Sequence, residues 1–122
     1  IKAYFEIKTV MKNSQLHNLK CSSCNKNTPK LKKEDIYLHL KKLDLWNIND
    51  EEEMIFKKFT FSNFNKSLNF TNSIALLAEN ESHHPDISLG WGYCIIMLHT
   101  HAIKALSLND FILASKIDNL KY

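Results

Sequence analysis

Apolar residues recur along this chain with two different periods. In "LKKEDIYLHLKKLDLW" (residues 31–46), Ile36, Leu40 and Leu43 fall at i, i+4 and i+7 among charges. That spacing predicts a short amphipathic helix ending near Asp44. "LWNI" (45–48) reads as a strand, "NDEEE" as a turn and "MIFKKFTF" (54–61) as a second strand. Ile55, Lys57, Phe59 and Phe61 would lie on one side, with Phe56 and Thr60 on the other, and the two strands form a hairpin. Ser62 is the expected N-cap of a long helix over 63–80. Phe64, Leu68, Phe70, Ile74, Leu77 and Ala78 supply its apolar face. That helix should stop before Pro85, because proline restricts the residue ahead of it.

"DISLGWGYCIIMLHTH" (86–101) holds both glycines of the chain, Gly90 and Gly92. They punctuate two extended runs, "ISL" and "YCIIML", which predicts strand, turn or bulge, strand. Tyr93, Ile95 and Met97 alternate with Cys94, Ile96 and Leu98, so both faces are apolar and one is available to another subunit. A final helix begins at "SLND", with Ser107 as N-cap and Asp110 at the third helical position in a variant capping box. Phe111, Ala114, Ile117 and Leu120 form its inner stripe. The fold class expected is α+β: a four-stranded antiparallel sheet with helices packed on one face. Residues 1–30 read as an N-terminal extension, with one possible strand in "YFEIKTV" (4–10) and linker after it; residues 31–122 read as the compact domain.

Composition narrows the function. The 122 residues carry a net charge of +3. Residues 1–42 hold ten Lys against three acids, and residues 43–122 six Lys against ten acids. Every positive charge is Lys, without one Arg. Base readout and bidentate phosphate gripping favour the guanidinium fork, so direct nucleic-acid binding is not expected. The longest apolar run, Tyr93–Leu98, is six residues, too short to span a membrane. The chain starts at Ile1 rather than Met, which leaves a preceding targeting segment open. Three cysteines, an odd number, argue for a reducing compartment, hence cytoplasm, with the nucleus also open. "CSSC" (Cys21, Cys24) with His17 four residues upstream supplies only three zinc ligands, where a structural site normally has four.

The densest chemistry is histidine. Four of six histidines, His83, His84, His99 and His101, flank the glycine-interrupted hairpin; His17 and His39 stand apart among polar residues and read as surface. An antiparallel return brings 83–84 and 99–101 together. Zinc on three imidazoles is one reading. Against it, neighbours in sequence cannot easily face one ion, and no HExxH helix is present. General acid–base work is the other, suited to imidazole at neutral pH.

The pattern Glu79-x3-His83-His84-Pro85, Trp91 six residues on, then Thr100-His101 and Asp110, resembles the pterin-4a-carbinolamine dehydratases. The resemblance runs from Lys33 to Leu120 and includes "IFKKFTFSNFN" (55–65) and the surroundings of Trp46. It implies a small α+β fold forming homodimers and homotetramers. The implied reaction is metal-free dehydration of a 4a-hydroxytetrahydropterin to the quinonoid dihydropterin, in tetrahydrobiopterin recycling, with no cofactor. It assigns acid and base to His83 and His101, and substrate holding and polarisation to His84. Glu79, Ser82, His99, Thr100, Trp46 and Asp110 are the implied substrate-binding surroundings. Animal relatives also act as dimerisation cofactors of a homeodomain transcription factor, which makes a protein partner the alternative. The chain departs from the family at Ser82 (commonly Asp), at Ile87 and Ser88 (commonly aromatic) and at His99 (commonly Ser).

Overall fold

The structure is a computed structural model that describes residues 16–121. The strand expected in residues 4–10 lies outside the described residues. Helix α1 spans Lys33–Lys42, strand β1 Asn47–Ile48, β2 Ile55–Thr60, helix α2 Phe64–Glu81, β3 Asp86–Gly90, β4 Tyr93–Leu98 and helix α3 Leu108–Asp118. Single 3₁₀ turns lie at Leu16–Asn18 and His101–Ile103. The strands make one antiparallel sheet in the order β1-β2-β4-β3. The expected α+β class holds.

Register follows the period-2 pattern. Ile55 faces Leu98, Lys57 faces Ile96 and Phe59 faces Cys94. All six are buried, and they form the sheet's inner face. Against it pack Phe70, Ile74 and Ala78 of α2, one turn apart, and Phe111, Leu113, Ala114 and Ile117 of α3. The stripe expected on α3 is too narrow, because Ile112 and Ser115 are buried as well. Lys57 reaches out of this face to Asp118 at 2.9 Å. Burial pushes the Asp118 carboxyl up from its ordinary value, opposed by Lys57 and by the Trp46 indole.

Local chemistry corrects several sequence expectations. The N-cap of α2 is Asn63, not Ser62: the Asn63 side-chain oxygen Oδ1 accepts the Lys66 backbone amide at 2.8 Å. Phe64, expected inside, is 43% exposed, because the buried row of α2 is centred on Phe70, Ile74 and Ala78. "LWNI" is strand only at Asn47–Ile48, since Leu45 turns the chain at φ 62° and is exposed. His39, read as surface, tilts against Phe111 with ring centroids 5.3 Å apart. Residues 16–24, read as linker, lie against α3: Leu16 is 2% exposed and belongs to the core. The turn between β3 and β4 is Trp91-Gly92, with Gly92 at φ 77° and Trp91 exposed. A side chain at Gly90 would collide with the Tyr93 ring, 2.3 Å from the added carbon.

Candidate functional site

The sheet order gathers the histidines. Asp86 opens β3 opposite Met97 of β4, so the residues before Asp86 and those after Leu98 meet at one end of the sheet. Ser82 makes that meeting possible. It ends α2 in the left-handed conformation, φ 53°, ψ 34°, and its amide returns to Ala78 and Glu79. The chain thus leaves the helix abruptly, with His83 turned inward (5% exposed) and His84 outward. Adjacent residues, equal in sequence, end in opposite surroundings.

Asp110 ties the two segments together. Its Oδ1 lies 2.6 Å from His83 Nε2, while Oδ2 accepts the Thr100 hydroxyl at 2.8 Å and the Ser107 amide at 3.0 Å. The last bond is the Asp110 half of the expected capping box. The Ser107 hydroxyl meets Thr100 at 2.7 Å. Asp110, Thr100 and Ser107 are buried. A buried carboxylate needs such partners, and here they include a ring beside one segment and the residue just before His101 in the other. With Asp110 accepting, the Nε2 proton belongs on His83, and its Nδ1 is left to act.

That Nδ1 meets Cys24. The Sγ lies 3.7 Å away, and the Asn109 amide donates to the same sulfur. Asn109 also clasps Ser22 through both backbone groups, and Glu81 accepts the Cys21 amide at 2.9 Å. Glu81 is buried beside Lys116, whose ammonium donates to it at 2.7 Å. Burial acts to raise the Glu81 carboxyl, but the Cys21 amide, Lys116 and Lys20 outweigh it and hold the group below its ordinary value. Burial, together with the Glu81 charge, pushes the Cys21 thiol up to about 12. The CxxC is therefore a packed strap beside His83. Sequence pattern gave no hint of this, because the bonds run to side chains about sixty and eighty-five residues away.

The exposed part of the site is a second cluster. His99 Nε2 is 3.0 Å and His101 Nε2 3.9 Å from the same oxygen of Asp86, with the two rings 4.1 Å apart. His84 Nε2 meets Glu79 at 2.6 Å on the surface. His99 and His101 line a cleft of about 430 Å³ with Asn49, Glu53, Met54 and Lys104, within the range of small-molecule sites. A larger cleft, about 530 Å³, is lined by Thr60, Phe61, Lys66 and Lys121 among others, and no histidine lines it. The chemistry favours the smaller one. Among the described residues, the group with metal-ligand spacing is Asp86, His99 and His101, not His17 with the cysteines. Asp86 was missed because a lone Asp at a strand start carries no signal until its register is known.

Other expected residues separate. Glu79, Ser82, His99, Thr100 and Asp110 all touch or adjoin a histidine. Trp46 does not join them. Its indole donates to Asp118 at 3.0 Å and stands edge-on to Phe59. Asp118 and Asp110 are at opposite ends of α3, roughly 12 Å apart along the axis.

Known proteins resemble this chain over most of its length. Residues 29–120 match the family described as pterin 4 alpha carbinolamine dehydratase. A protein of Rickettsia bellii provisionally named a pterin-4-alpha-carbinolamine dehydratase is 42% identical over 106 residues, covering 87% of this chain and 94% of its own. A similarly named protein of Methylococcus capsulatus is 39% identical over 100 residues, covering 82% and 88%. Among solved structures, a transcriptional coactivator/pterin dehydratase from Brucella melitensis superposes with TM-score 0.70 at 28% identity, over 74% of this chain and 96% of that one. A pterin dehydratase-like protein identified as a RuBisCO assembly factor in the alpha-carboxysome gives 0.53 at 25% identity, over 62% and 87%. With the family pattern covering three-quarters of its length, the chain belongs to the pterin 4 alpha carbinolamine dehydratase family.

Proposed function

We propose that the protein dehydrates a 4a-hydroxytetrahydropterin by histidine acid–base catalysis. The observation that carries this reading is the Asp110 carboxylate, which holds His83 on one oxygen and Thr100, the neighbour of His101, on the other. The reaction expels the C4a hydroxyl as water. One imidazolium delivers a proton to the leaving oxygen, and one neutral imidazole removes the N5 proton as the N5 electrons form the new double bond. Two positioned groups of this kind contribute about 10²–10⁴-fold each. His101 and His84 present exposed rings for the pterin, and Glu79 orients His84. His83 is enclosed with its Nδ1 3.7 Å from Cys24 Sγ, so proton transfer at that nitrogen requires the Cys24 contact to open to substrate.

The test is direct. The ultraviolet signal of a freshly generated carbinolamine is followed with purified protein, and a rate equal to the uncatalysed one ends the proposal. Homodimers or homotetramers are part of the same reading, supported by Leu76, 74% exposed on α2. Sedimentation measures them.

A second reading, a non-catalytic partner-binding protein, draws on the structural neighbour that serves as an assembly factor. Recovery of one specific partner, with no dehydratase rate, would favour it.

A further inference from the structure

We propose that Asp86, His99 and His101 form a binding site for a divalent transition-metal ion, zinc being the best match, and that the bound ion withdraws His101 from proton transfer. The binding half stands on geometry alone; the inhibitory half rests on the dehydratase reading. The Nε2 atoms of both rings converge on a single carboxylate oxygen, at 3.0 Å and 3.9 Å. One ligand atom from each of the three residues lies within 4.8 Å of the others. Tetrahedral zinc with bonds near 2.0–2.1 Å places its ligand atoms roughly 3.3 Å apart. Starting from 3.0 Å, 3.9 Å and at most 4.8 Å, small side-chain rotations that part the closest pair slightly and draw His101 in reach that spacing.

The side chains are free to make it. Asp86 is 57% and His101 59% exposed, while His99 at 25% is the more fixed member. Two imidazoles and a carboxylate suit zinc, copper or nickel and disfavour calcium and magnesium, which want all-oxygen shells. Three protein ligands leave a fourth position open to water from the cleft. Glu53 and Lys104 on the cleft wall carry opposite charges, so the wall does not repel a cation as a whole. An ion held by His101 Nε2 occupies the lone pair that a base would use. His99 makes the difference: without it, His101 and Asp86 offer two ligands, which is too few for tight binding.

The experiment uses the metal-stripped full chain in competition with a chromogenic zinc indicator near neutral pH. The expected result is one zinc per chain, weakened at least about tenfold in His99→Ser and in Asp86→Asn, a loss of about 1.4 kcal/mol or more. Magnesium in excess should not displace it. His84→Ala and Cys24→Ser should bind as the parent does. Absence of stoichiometric binding overturns the proposal, as does unchanged affinity in His99→Ser or loss of binding in Cys24→Ser. Each protein's rate is then compared with its own zinc-free rate. Zinc should slow the parent at concentrations at least about tenfold below those that slow His99→Ser. If binding is seen in a protein without any dehydratase rate, the functional reading fails and the metal site stands.

Discussion

His83 Nε2 and Asp110 Oδ1 lie 2.6 Å apart in the buried junction between helix α2 and helix α3. The contact engages Nε2 and turns Nδ1 toward Cys24, and the same carboxylate anchors Thr100. Asp110→Asn keeps the shape but removes the charge that both partners use. The expected outcome is a loss of about 1–3 kcal/mol in stability by urea unfolding, with a fall in turnover of roughly 10²-fold or more at unchanged fold. Full turnover in the variant would remove Asp110 from the mechanism.

His101→Ala and His83→Gln should each slow dehydration by about 10²–10⁴-fold. They should differ in stability. His101 is exposed, so its loss costs little, whereas His83 sits in a filled, bonded position and its replacement destabilises. Thermal unfolding of the two variants, measured beside their rates, separates the two effects.

Trp46→Phe tests a role that the family pattern suggested and the geometry does not support. The variant leaves Asp118 without the indole donor, and should lose about 1–2 kcal/mol. Turnover per folded molecule should stay within a factor of about two. A selective rise in KM would return Trp46 to the substrate site.

Glu81 gives a pH signature. Its folded pKa lies below the ordinary glutamate value of 4.5, so the fold favours the ionised form. The stabilisation is complete above that ordinary value and disappears as pH falls through the lowered one. Urea unfolding of the parent and Glu81→Gln should therefore differ most above about pH 5 and converge in acid. A gap that persists in strong acid would assign the effect to packing instead.

The three thiols should alkylate in a fixed order. Cys21 is buried with its thiol pushed to about 12, and burial likewise raises Cys94, whereas Cys24 is only half-buried. Iodoacetamide near pH 8 should label Cys24 first, with Cys21 and Cys94 reacting on unfolding; peptide mass spectrometry reads the order. Early labelling of Cys21 would mean that the strap is not closed in solution.

Much of the fold was written in local periodicity. The alternation of β2 and β4 and the helical stripe of Phe70, Ile74 and Ala78 needed no tertiary knowledge. The capping residue of α2 was misplaced by one because Ser62 and Asn63 are both good caps, and only backbone geometry chooses between them. At the site, histidine density and the return of the hairpin were enough to bring 83–84 and 99–101 together. Asp86 as a site residue and the contact of Cys24 with His83 escaped the sequence for a different reason. Their partners are set by strand register and by a strap that crosses sixty residues of sequence, and no short-range pattern encodes either.

Trp91 at the tip of the β3–β4 hairpin has a practical bearing. The tip and the histidine end are separated by the length of β3, five residues or about 17 Å. Trp46, the other tryptophan, is enclosed in the core. Indole emission from this protein will therefore have a water-exposed component and a sheltered one, and neither chromophore adjoins the imidazoles. Changes in that emission report on folding through Trp46 and on the hairpin through Trp91, so ligand titrations call for a probe placed elsewhere.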